Sequence, residues 1–600
     1  MPIMKKIFWA AVLCLLSQSY FAQQHLLIQN VTGRKTISLN GEWHIIIDPY
    51  ENGFYNYRLK EDPNGYFKNA KPKNKTDRVE YNFDKSETLR VPGDWNSQKE
   101  KLFLYEGTIW YEKSFNYTKK QNTRLYIYFG AVNYEAIVYV NGEKIGKHTG
   151  GFTPFNFEIT DKVKDGNNFV VVKVDDTRKR DGVPTVNTDW WNYGGITRDI
   201  DLIEVPEIFI RDYLIQLGKG SNDEIRGWIQ LDGKSFPQEV HIKIPEAGVD
   251  KIVKTDDYGY TPFSIKAKLT LWSQENPKLY NVTIASSADT VKDKIGFRTI
   301  EAKGTKILLN GKQTFLRGIS IHEEAPFRNG RAYSKEDADT LLSWAKQLGC
   351  NFVRLAHYPH NENMIREAEK MGILVWSEIP VYWTILWDNA LVRENAANQL
   401  KEEISRDKNR APIILWSIGN ETPRGDDRLL FLKTLSDEAH AIDSTRLVTA
   451  ATETHYINSN TIMIDDPLGK YLDVLGCNEY IGWYDGLPSK ADTINWKSDY
   501  DKPLVMSEFG GSAKYGYHAD TLTVWSEEYQ ANLYKHQINM LKRISFLQGM
   551  TPWILMDFRS PRRVLPGIQD FFNRKGLISN KGEKKEAFYI LRDFYKSFVE

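Results

Sequence analysis

The chain has 600 residues, of which 41% are hydrophobic and 26% charged, with a formal net charge of +1 and only three cysteines. This length exceeds what one hydrophobic core usually organises, so we expect two to four domains. The near-zero charge excludes a global attraction to a polyanion, so no nucleic-acid partner is predicted, and the few cysteines exclude a disulfide framework.

Residues 1–22 have the pattern of a secretory signal peptide. Lys5 and Lys6 precede an apolar stretch over residues 7–16, and the small residue Ala22 ends the segment. The stretch is too short to span a membrane, and no later run of about 18 apolar residues appears. We expect cleavage after Ala22, export to the periplasm or the medium, no membrane span, and a change in net charge from +1 to −1.

Two β-rich regions follow the signal peptide. Alternating segments at residues 124–129, 136–140 and 169–174, with hairpin turns such as Asn141-Gly142, predict a β-sandwich over residues 23–205. Residues 206–302 have a similar pattern, with strands at Glu239–Ile244 and 279–284. A region of this size predicts an immunoglobulin-like β-sandwich.

Residues 303–600 alternate apolar strands with amphipathic helices. Helical patterns cover residues 335–348, 361–371, 396–405 and 526–544. The predicted strands are residues 315–322, 352–359, 373–380, 413–421, 447–454, 474–480, 504–509 and 552–558. Eight strands in this span favour a (β/α)8 TIM barrel. An open doubly wound sheet is the alternative, but no glycine-rich phosphate loop follows the first strand.

Functional groups of such a barrel collect where its strands end at the carboxyl face. Among the candidates there, Glu323 and Glu378 are expected to orient His357 or Arg354. The predicted strand ends bring together His322, Glu323, His357, Glu378, Asn420, Glu421, Asn478, Tyr480, Glu508, Trp553 and Asp557.

No metal or cofactor is predicted at this face. His357 and His360 are three residues apart, but Pro359 lies between them and no third ligand is near in the sequence. Substrate contact or packing is the interpretation of His357, and Trp553 is either a platform for a sugar ring or part of the barrel core. No nucleotide, haem or flavin motif is visible.

Glu421 and Glu508 each end an apolar run, where a carboxylate is costly unless it has a function. They are 87 residues apart, which suits the fourth and seventh strands and lets them face each other across the barrel opening. Hydrolysis of a glycosidic bond with retention requires one carboxylate that attacks the anomeric carbon and one acid that protonates the leaving oxygen, about 5 to 5.5 Å apart. The spacing permits this arrangement.

The segments Trp416 to Glu421 and Met506 to Gly510 resemble glycoside hydrolase family 2, which contains β-galactosidases, β-glucuronidases and β-mannosidases. Residues 39–43, 91–95 and 190–198 resemble the jelly-roll-like sugar-binding sandwich of that family. Residues 296–300 resemble the end of its middle domain, and residues 318–323 and 351–359 its barrel signatures. The resemblance implies that Glu421 is the general acid/base, that Glu508 is the nucleophile, and that Asn420 binds the sugar 2-hydroxyl.

The same resemblance indicates which sugar the site would recognise. Asn573 and Lys575 resemble the Asn-x-Lys element of the family's β-glucuronidases, in which an amide and an ammonium meet the C6 carboxylate. Tyr480 and Tyr484 resemble the glucuronidase segment after the sixth strand. Asp189 aligns with an acid that the first domain contributes to the sugar pocket.

One residue departs from the glucuronidase pattern. Bacterial β-glucuronidases have an arginine four residues before the asparagine, whereas this chain has Gln569. Arg562, Arg563 and Arg574 are the candidates that could replace it, although the alternative interpretation is that they are ordinary surface arginines.

The sequence therefore predicts an exported, retaining exo-hydrolase of terminal β-glucuronides that acts on oligo- or polysaccharides without a cofactor. A β-galactosidase or another neutral exo-β-glycosidase is the alternative within the family. A non-catalytic carbohydrate-binding protein is the alternative of another class. Homo-oligomers are common in the family, but the sequence has no interface signature.

Overall fold

The computed structural model describes residues 27–62, 73–77 and 81–598. Within them the chain forms two β-sandwiches followed by a closed barrel of eight strands. The predicted signal peptide lies outside the described residues. Each helix within the described residues is too short or too polar to span a membrane.

The first domain packs a four-stranded sheet against a six-stranded sheet, and apolar side chains of both sheets form one core. Asn141 and Gly142 both have positive φ, as the predicted hairpin turn requires. In sheet order, the smaller sheet contains Thr36–Ser38, Ile200–Pro206, Thr123–Phe129 and Phe155–Glu158. The larger contains Thr88–Val91, Gly41–Ile47, Thr108–Tyr117, Gly166–Asp175, Glu135–Val140 and Glu143–Thr149.

The middle domain is a second sandwich with its own apolar core. A three-stranded antiparallel sheet contains Phe209–Leu217, Glu224–Asp232 and Tyr260–Lys266. A four-stranded sheet contains Val249–Lys254, Glu239–Ile244, Tyr280–Ala285 and Thr290–Ile295.

The barrel confirms the predicted fold class. A small sheet, Ile300–Lys303, Lys306–Leu309 and Lys312–Gln313, precedes it and packs against the first residues of several barrel strands. Consecutive barrel strands pair in parallel, and the last pairs with the first. The strands are β1 (Leu316–Ile321), β2 (Phe352–Leu355), β3 (Leu374–Glu378), β4 (Ile413–Asn420), β5 (Leu447–Thr452), β6 (Val474–Asn478), β7 (Leu504–Glu508) and β8 (Leu547–Met550).

Helices cover the barrel between most strands. Ser334 and Asp337 form a capping box that starts the first of them, and Gly349, with a φ of 93°, ends it. Short 3-10 helices that begin with proline, Pro467–Tyr471 and Pro488–Thr493, stand after β5 and β6 in place of α-helices. The α-helices of the barrel are α1 (Lys335–Leu348), α2 (Glu362–Met371), α3 (Ala390–Asp407), α4 (Asp426–Ile442), α5 (Glu527–Leu541) and α6 (Glu586–Lys596).

The prediction of the eighth strand at residues 552–558 is wrong. The strand is β8, and residues 552–558 follow it at the carboxyl face. Gln548 and Gly549 weaken the strand pattern of β8, because neither supplies a large apolar side chain. The apolar run after it is buried in an aromatic cluster instead of in the sheet.

The prediction for Glu323 is also wrong, since this residue does not orient His357 or Arg354. It forms ion pairs with Arg198 at 3.1 Å and with Arg331 at 3.4 Å. Arg198 belongs to the first domain, and its guanidinium also donates to two backbone carbonyls, one of them on the loop after β2. The acid after β1 therefore fixes the first sandwich against the mouth of the barrel.

Candidate active site

Glu508 ends β7, with only 4% of its surface exposed. Arg354 Nη1 donates to its Oε1 at 2.8 Å, and the Tyr480 hydroxyl donates to its Oε2 at 2.6 Å. His357 Nε2 lies 3.6 Å from Oε1. Both oxygens of the carboxylate are thus held in fixed directions, as an attacking group requires.

The charge of Glu508 is set by opposing effects. Burial raises its pKa above the ordinary value, and the charge of Glu421 acts in the same direction. The guanidinium of Arg354, His357 and the hydrogen bond from Tyr480 act to lower the pKa, but the net direction is upward. The Glu421 carboxylate therefore lies close enough to act electrostatically on Glu508.

Arg354 on β2 connects the groups of the site. Besides Glu508, its guanidinium donates to both oxygens of Glu378, at 3.1 and 3.2 Å, and to Asn420 Oδ1 at 2.7 Å. Glu378 Oε1 is also 2.7 Å from His357 Nδ1. Burial acts to raise the pKa of Glu378, but Arg354 and His357 outweigh it and hold the pKa at about 2. Glu378 therefore has the supporting position that the sequence predicted.

Asn420 ends β4 with its amide orientation fixed. Its Oδ1 accepts from Arg354 and, at 3.2 Å, from Nδ2 of Asn478, which Ser507 holds in turn at 2.7 Å. Its Nδ2 is buried and has no hydrogen-bond partner within the described residues. A buried donor without a partner is costly, and this one can serve a hydroxyl group of a ligand.

Glu421 follows β4 directly and is half-buried. Its φ is 49°, in the left-handed region that residues other than glycine seldom adopt. Trp383, in the loop after β3, has a φ of 53°, and its indole Nε1 donates to Glu421 Oε2 at 2.9 Å. No motif in the sequence selects Trp383, although it lies only five residues beyond the end of β3.

Aromatic side chains from both domains surround these carboxylates. The first domain contributes Trp190, whose ring centroid lies 5.7 Å from that of His357 and 5.0 Å from that of Tyr382. Trp553 stacks on His357 at 4.7 Å and is 3% exposed. Trp553 is therefore largely covered by its neighbours, and Trp190 is a component of the site that the sequence did not single out.

We call the group formed by Asp189, Tyr484, Arg563, Asn573 and Lys575 the cationic corner. Lys575 is 3% exposed, and its Nζ donates to the Tyr484 hydroxyl at 2.7 Å. Asn573 Nδ2 donates to Asp189 Oδ2 at 3.1 Å, and its Oδ1 accepts from the backbone N–H of Lys575 at 3.1 Å. Burial acts to raise the pKa of Tyr484, but Lys575 and Arg563 outweigh it and lower the pKa.

Asp557 does not join the other acids at the mouth, contrary to its place in the predicted set. It is fully buried and pairs with Lys585 at 2.7 Å and with Arg574 at 3.3 Å. Its position after β8, in the segment that was wrongly predicted to be the strand, turns the side chain toward these two cations.

The comparisons with known proteins agree with this architecture. The model of the TIM barrel domain of glycosyl hydrolases family 2 matches residues 300–599, and that of the family 2 sugar binding domain matches residues 37–206. The chain belongs to glycosyl hydrolase family 2, so the resemblance found in its sequence is confirmed and the protein is a glycoside hydrolase.

Its relatives include proteins of one named activity. The chain is 28% identical to the β-glucuronidase of Rattus norvegicus over 569 residues, which cover 84% of each chain. It is 26% identical to the β-glucuronidase of Paenibacillus borealis, over 84% of this chain and 90% of that protein. The fold is shared with a Bifidobacterium dentium β-glucuronidase structure, with a TM-score of 0.81 and 23% identity over 95% and 99% of the two chains.

Proposed function

We propose that the protein is a retaining, exo-acting β-glucuronidase that releases terminal glucuronic acid from oligo- or polysaccharides. The observation that carries the proposal is Lys575, a buried ammonium without a carboxylate partner within the described residues. A buried cation is costly unless it is paired, and the C6 carboxylate of a uronic acid supplies the anion. The named relatives support the same sugar.

In the proposed reaction, the Glu508 carboxylate attacks the anomeric carbon while Glu421 donates its proton to the glycosidic oxygen. This step breaks the glycosidic bond, releases the aglycone and leaves the sugar as an ester of Glu508. Glu421 then takes a proton from a water molecule that attacks the same carbon. The ester breaks, Glu508 is freed as a carboxylate, and the sugar retains its configuration.

The different surroundings of the two carboxylates support this division of roles. Arg354 and the Tyr480 hydroxyl donate to the two oxygens of Glu508, which favours its ionised, attacking form. Glu421 is half-buried, and its Oε2 accepts from the indole Nε1 of Trp383. Among the described residues it pairs with no cation, which suits the group that gives a proton to the leaving oxygen.

Asn420 is proposed to bind the sugar 2-hydroxyl. Its Nδ2 points away from the Arg354 bond that fixes the amide, and it has no partner within the described residues. A hydrogen bond at this hydroxyl strengthens as the anomeric carbon gains positive charge.

A panel of aryl glycosides tests the proposed activity. We expect the protein to hydrolyse the β-glucuronide far faster than the β-galactoside and β-glucoside, which have no carboxylate at C6. Lys575→Ala should lower kcat/KM for the glucuronide by about 30-fold or more, because one partner of a buried charge pair is lost. Lys514→Ala is the control, since that lysine is half-buried and lies outside the cationic corner, where its Nζ donates to the backbone carbonyl of Gly567.

The neutral β-galactosidase is the alternative that this panel addresses. If Lys575→Ala reduced galactoside and glucuronide turnover equally, the assignment of Lys575 to the carboxylate would be wrong. If no glycoside in the panel were hydrolysed, a carbohydrate-binding role would replace the proposed reaction.

We also propose that residues 1–22 direct export and that the chain forms homo-oligomers, as members of the family often do. Amino-terminal sequencing of the exported protein should begin at Gln23. Light scattering during size-exclusion chromatography should give a mass that is a multiple of the chain mass.

A further inference from the structure

Gln569, which stands where the glucuronidase arginine is expected, does not supply a substitute cation. Its Oε1 accepts from the backbone N–H of Leu565 at 3.2 Å, so the side chain turns back onto its own loop. A neutral amide used in this way cannot balance the charge of a uronate.

Arg563, six residues earlier in the same loop, supplies a cation in the cationic corner. The loop is closed by pairing of Phe558–Arg559 with Phe572–Asn573, and the backbone N–H of Phe571 donates to the Arg563 carbonyl at 2.7 Å. This closure puts Arg563 beside Asn573, and both side chains donate to Asp189. Arg563 Nε meets Asp189 Oδ1 at 3.0 Å, and its Nη2 meets the other oxygen.

The two other candidate arginines are occupied elsewhere. Arg562 Nη1 donates to Asn187 at 2.9 Å, and its guanidinium lies 4.7 Å from the ring centroid of Trp383. Arg574 pairs with buried Asp557 and donates to Asn580 at 2.8 Å. Neither donates to Asp189 or Tyr484 in the hydrogen bonds of the described residues.

The cationic corner has more positive than negative charge, so it can bind one more anion. Lys575 and Arg563 are two cations near the Tyr484 hydroxyl, and among the described residues Asp189 is the one carboxylate bonded to the group. A guanidinium has more N–H donors than Asp189 occupies, so Arg563 can bind a second carboxylate without releasing the first.

We propose that Arg563, held in place by Asp189, replaces the missing arginine and binds the C6 carboxylate of the terminal uronic acid together with Lys575. The inference rests on the proposed β-glucuronidase function. Arg563 lies ten positions before Asn573, whereas the family's arginine lies four positions before it. The folding of the loop, and not the spacing in the sequence, brings the Arg563 guanidinium to the proposed sugar site.

The test compares kcat/KM for aryl β-glucuronide and aryl β-glucoside, which differ only at C6. Arg563→Ala should lower the value for the glucuronide by about 30-fold or more and that for the glucoside by about 3-fold or less, since only the glucuronide loses a charged partner. Arg563→Lys, which keeps the charge, should recover part of the selectivity. Arg562→Ala removes the neighbouring arginine, which lies outside the corner and over the ring of Trp383. Any loss through Trp383 affects both substrates, so the ratio should stay unchanged.

Ionic strength and binding give independent measurements. Added salt should raise the KM of the parent for the glucuronide more than that of Arg563→Ala. Calorimetry with glucuronate should show the same selective loss of affinity, even for a variant with little activity, and thermal unfolding identifies a variant that has not folded.

An equal loss on both substrates in Arg563→Ala, with no recovery in Arg563→Lys, would overturn the inference, because a structural role through Asp189 would then suffice. A selective loss in Arg562→Ala would overturn it too, by assigning the carboxylate to the other arginine. If the parent hydrolysed the glucoside but not the glucuronide, the proposed function would fail first, which separates the two failures.

Discussion

Replacement of Arg354 by methionine removes the buried cation to which Glu508, Glu378 and Asn420 are all bonded. Methionine resembles arginine in having an unbranched side chain, but it carries no charge. The variant therefore leaves Glu508 and Glu378 without the cation that they share. Breaking a buried ion pair in this way costs about 3–5 kcal/mol of stability. We expect the variant to fold with a free energy of unfolding lower by about that amount.

The catalytic consequence of Arg354→Met follows from the sign of one electrostatic effect. Arg354 lowers the pKa of Glu508, while burial and Glu421 raise it. A neighbouring arginine lowers a carboxyl pKa, so its removal should raise the pKa of Glu508 further. Because the attacking carboxylate must be ionised, the acidic limb of kcat/KM should move to higher pH.

The assay is kcat/KM for an aryl β-glucuronide over the pH range in which the variant stays folded, as judged by tryptophan fluorescence. Arg354→Lys is the control, since it keeps a positive charge and should move the limb less. An acidic limb in folded Arg354→Met at the same pH as in the parent would refute the claim that Arg354 controls the charge of Glu508.

Two further predictions test other parts of the site and its support. Asn420→Ala should lower kcat/KM for the glucuronide by about 100-fold and that for its 2-deoxy analogue by much less, because only the first loses a bond to Nδ2; equal losses would remove the 2-hydroxyl assignment. Burial raises the pKa of Glu403, whose Oε1 accepts from Ser377 at 2.5 Å, to about 8. A carboxyl with a raised folded-state pKa contributes stability that is complete below its unfolded pKa and is lost as pH rises toward about 8. Glu403→Gln should therefore be more stable than the parent by up to about 4 kcal/mol at pH 7.5 in denaturant unfolding, and an unchanged pH slope would contradict this.

The sequence predicted the fold and the two central carboxylates because their signals are local. Both β4 and β7 coincide with an apolar run that leads directly to a glutamate. Strands of a parallel sheet are buried on both faces, so their sequences are continuously apolar and can be recognised without the structure. The strand β8 was missed because Gln548 and Gly549 interrupt its apolar run, whereas the following segment is apolar for a different reason: it packs in the site.

The rest of the site depends on contacts between distant parts of the chain. Trp383 reaches Glu421 because the loop after β3 bonds through its backbone to Asn420, the last residue of β4, and no residue spacing encodes that. Arg563 comes to Asp189 only when the loop after β8 closes against the first domain. Such placements follow from the assembled fold, so the sequence left three arginines as equal candidates.

Trapping of the glycosyl ester identifies the residue that attacks the anomeric carbon. A 2-deoxy-2-fluoro-β-glucuronyl fluoride should react once with the protein, because the fluorine at C2 slows hydrolysis of the ester after fluoride has left the anomeric carbon. We expect one label per chain, found by peptide mass spectrometry on Glu508. A label on Glu421, or no label in a protein that hydrolyses aryl β-glucuronides, would contradict it.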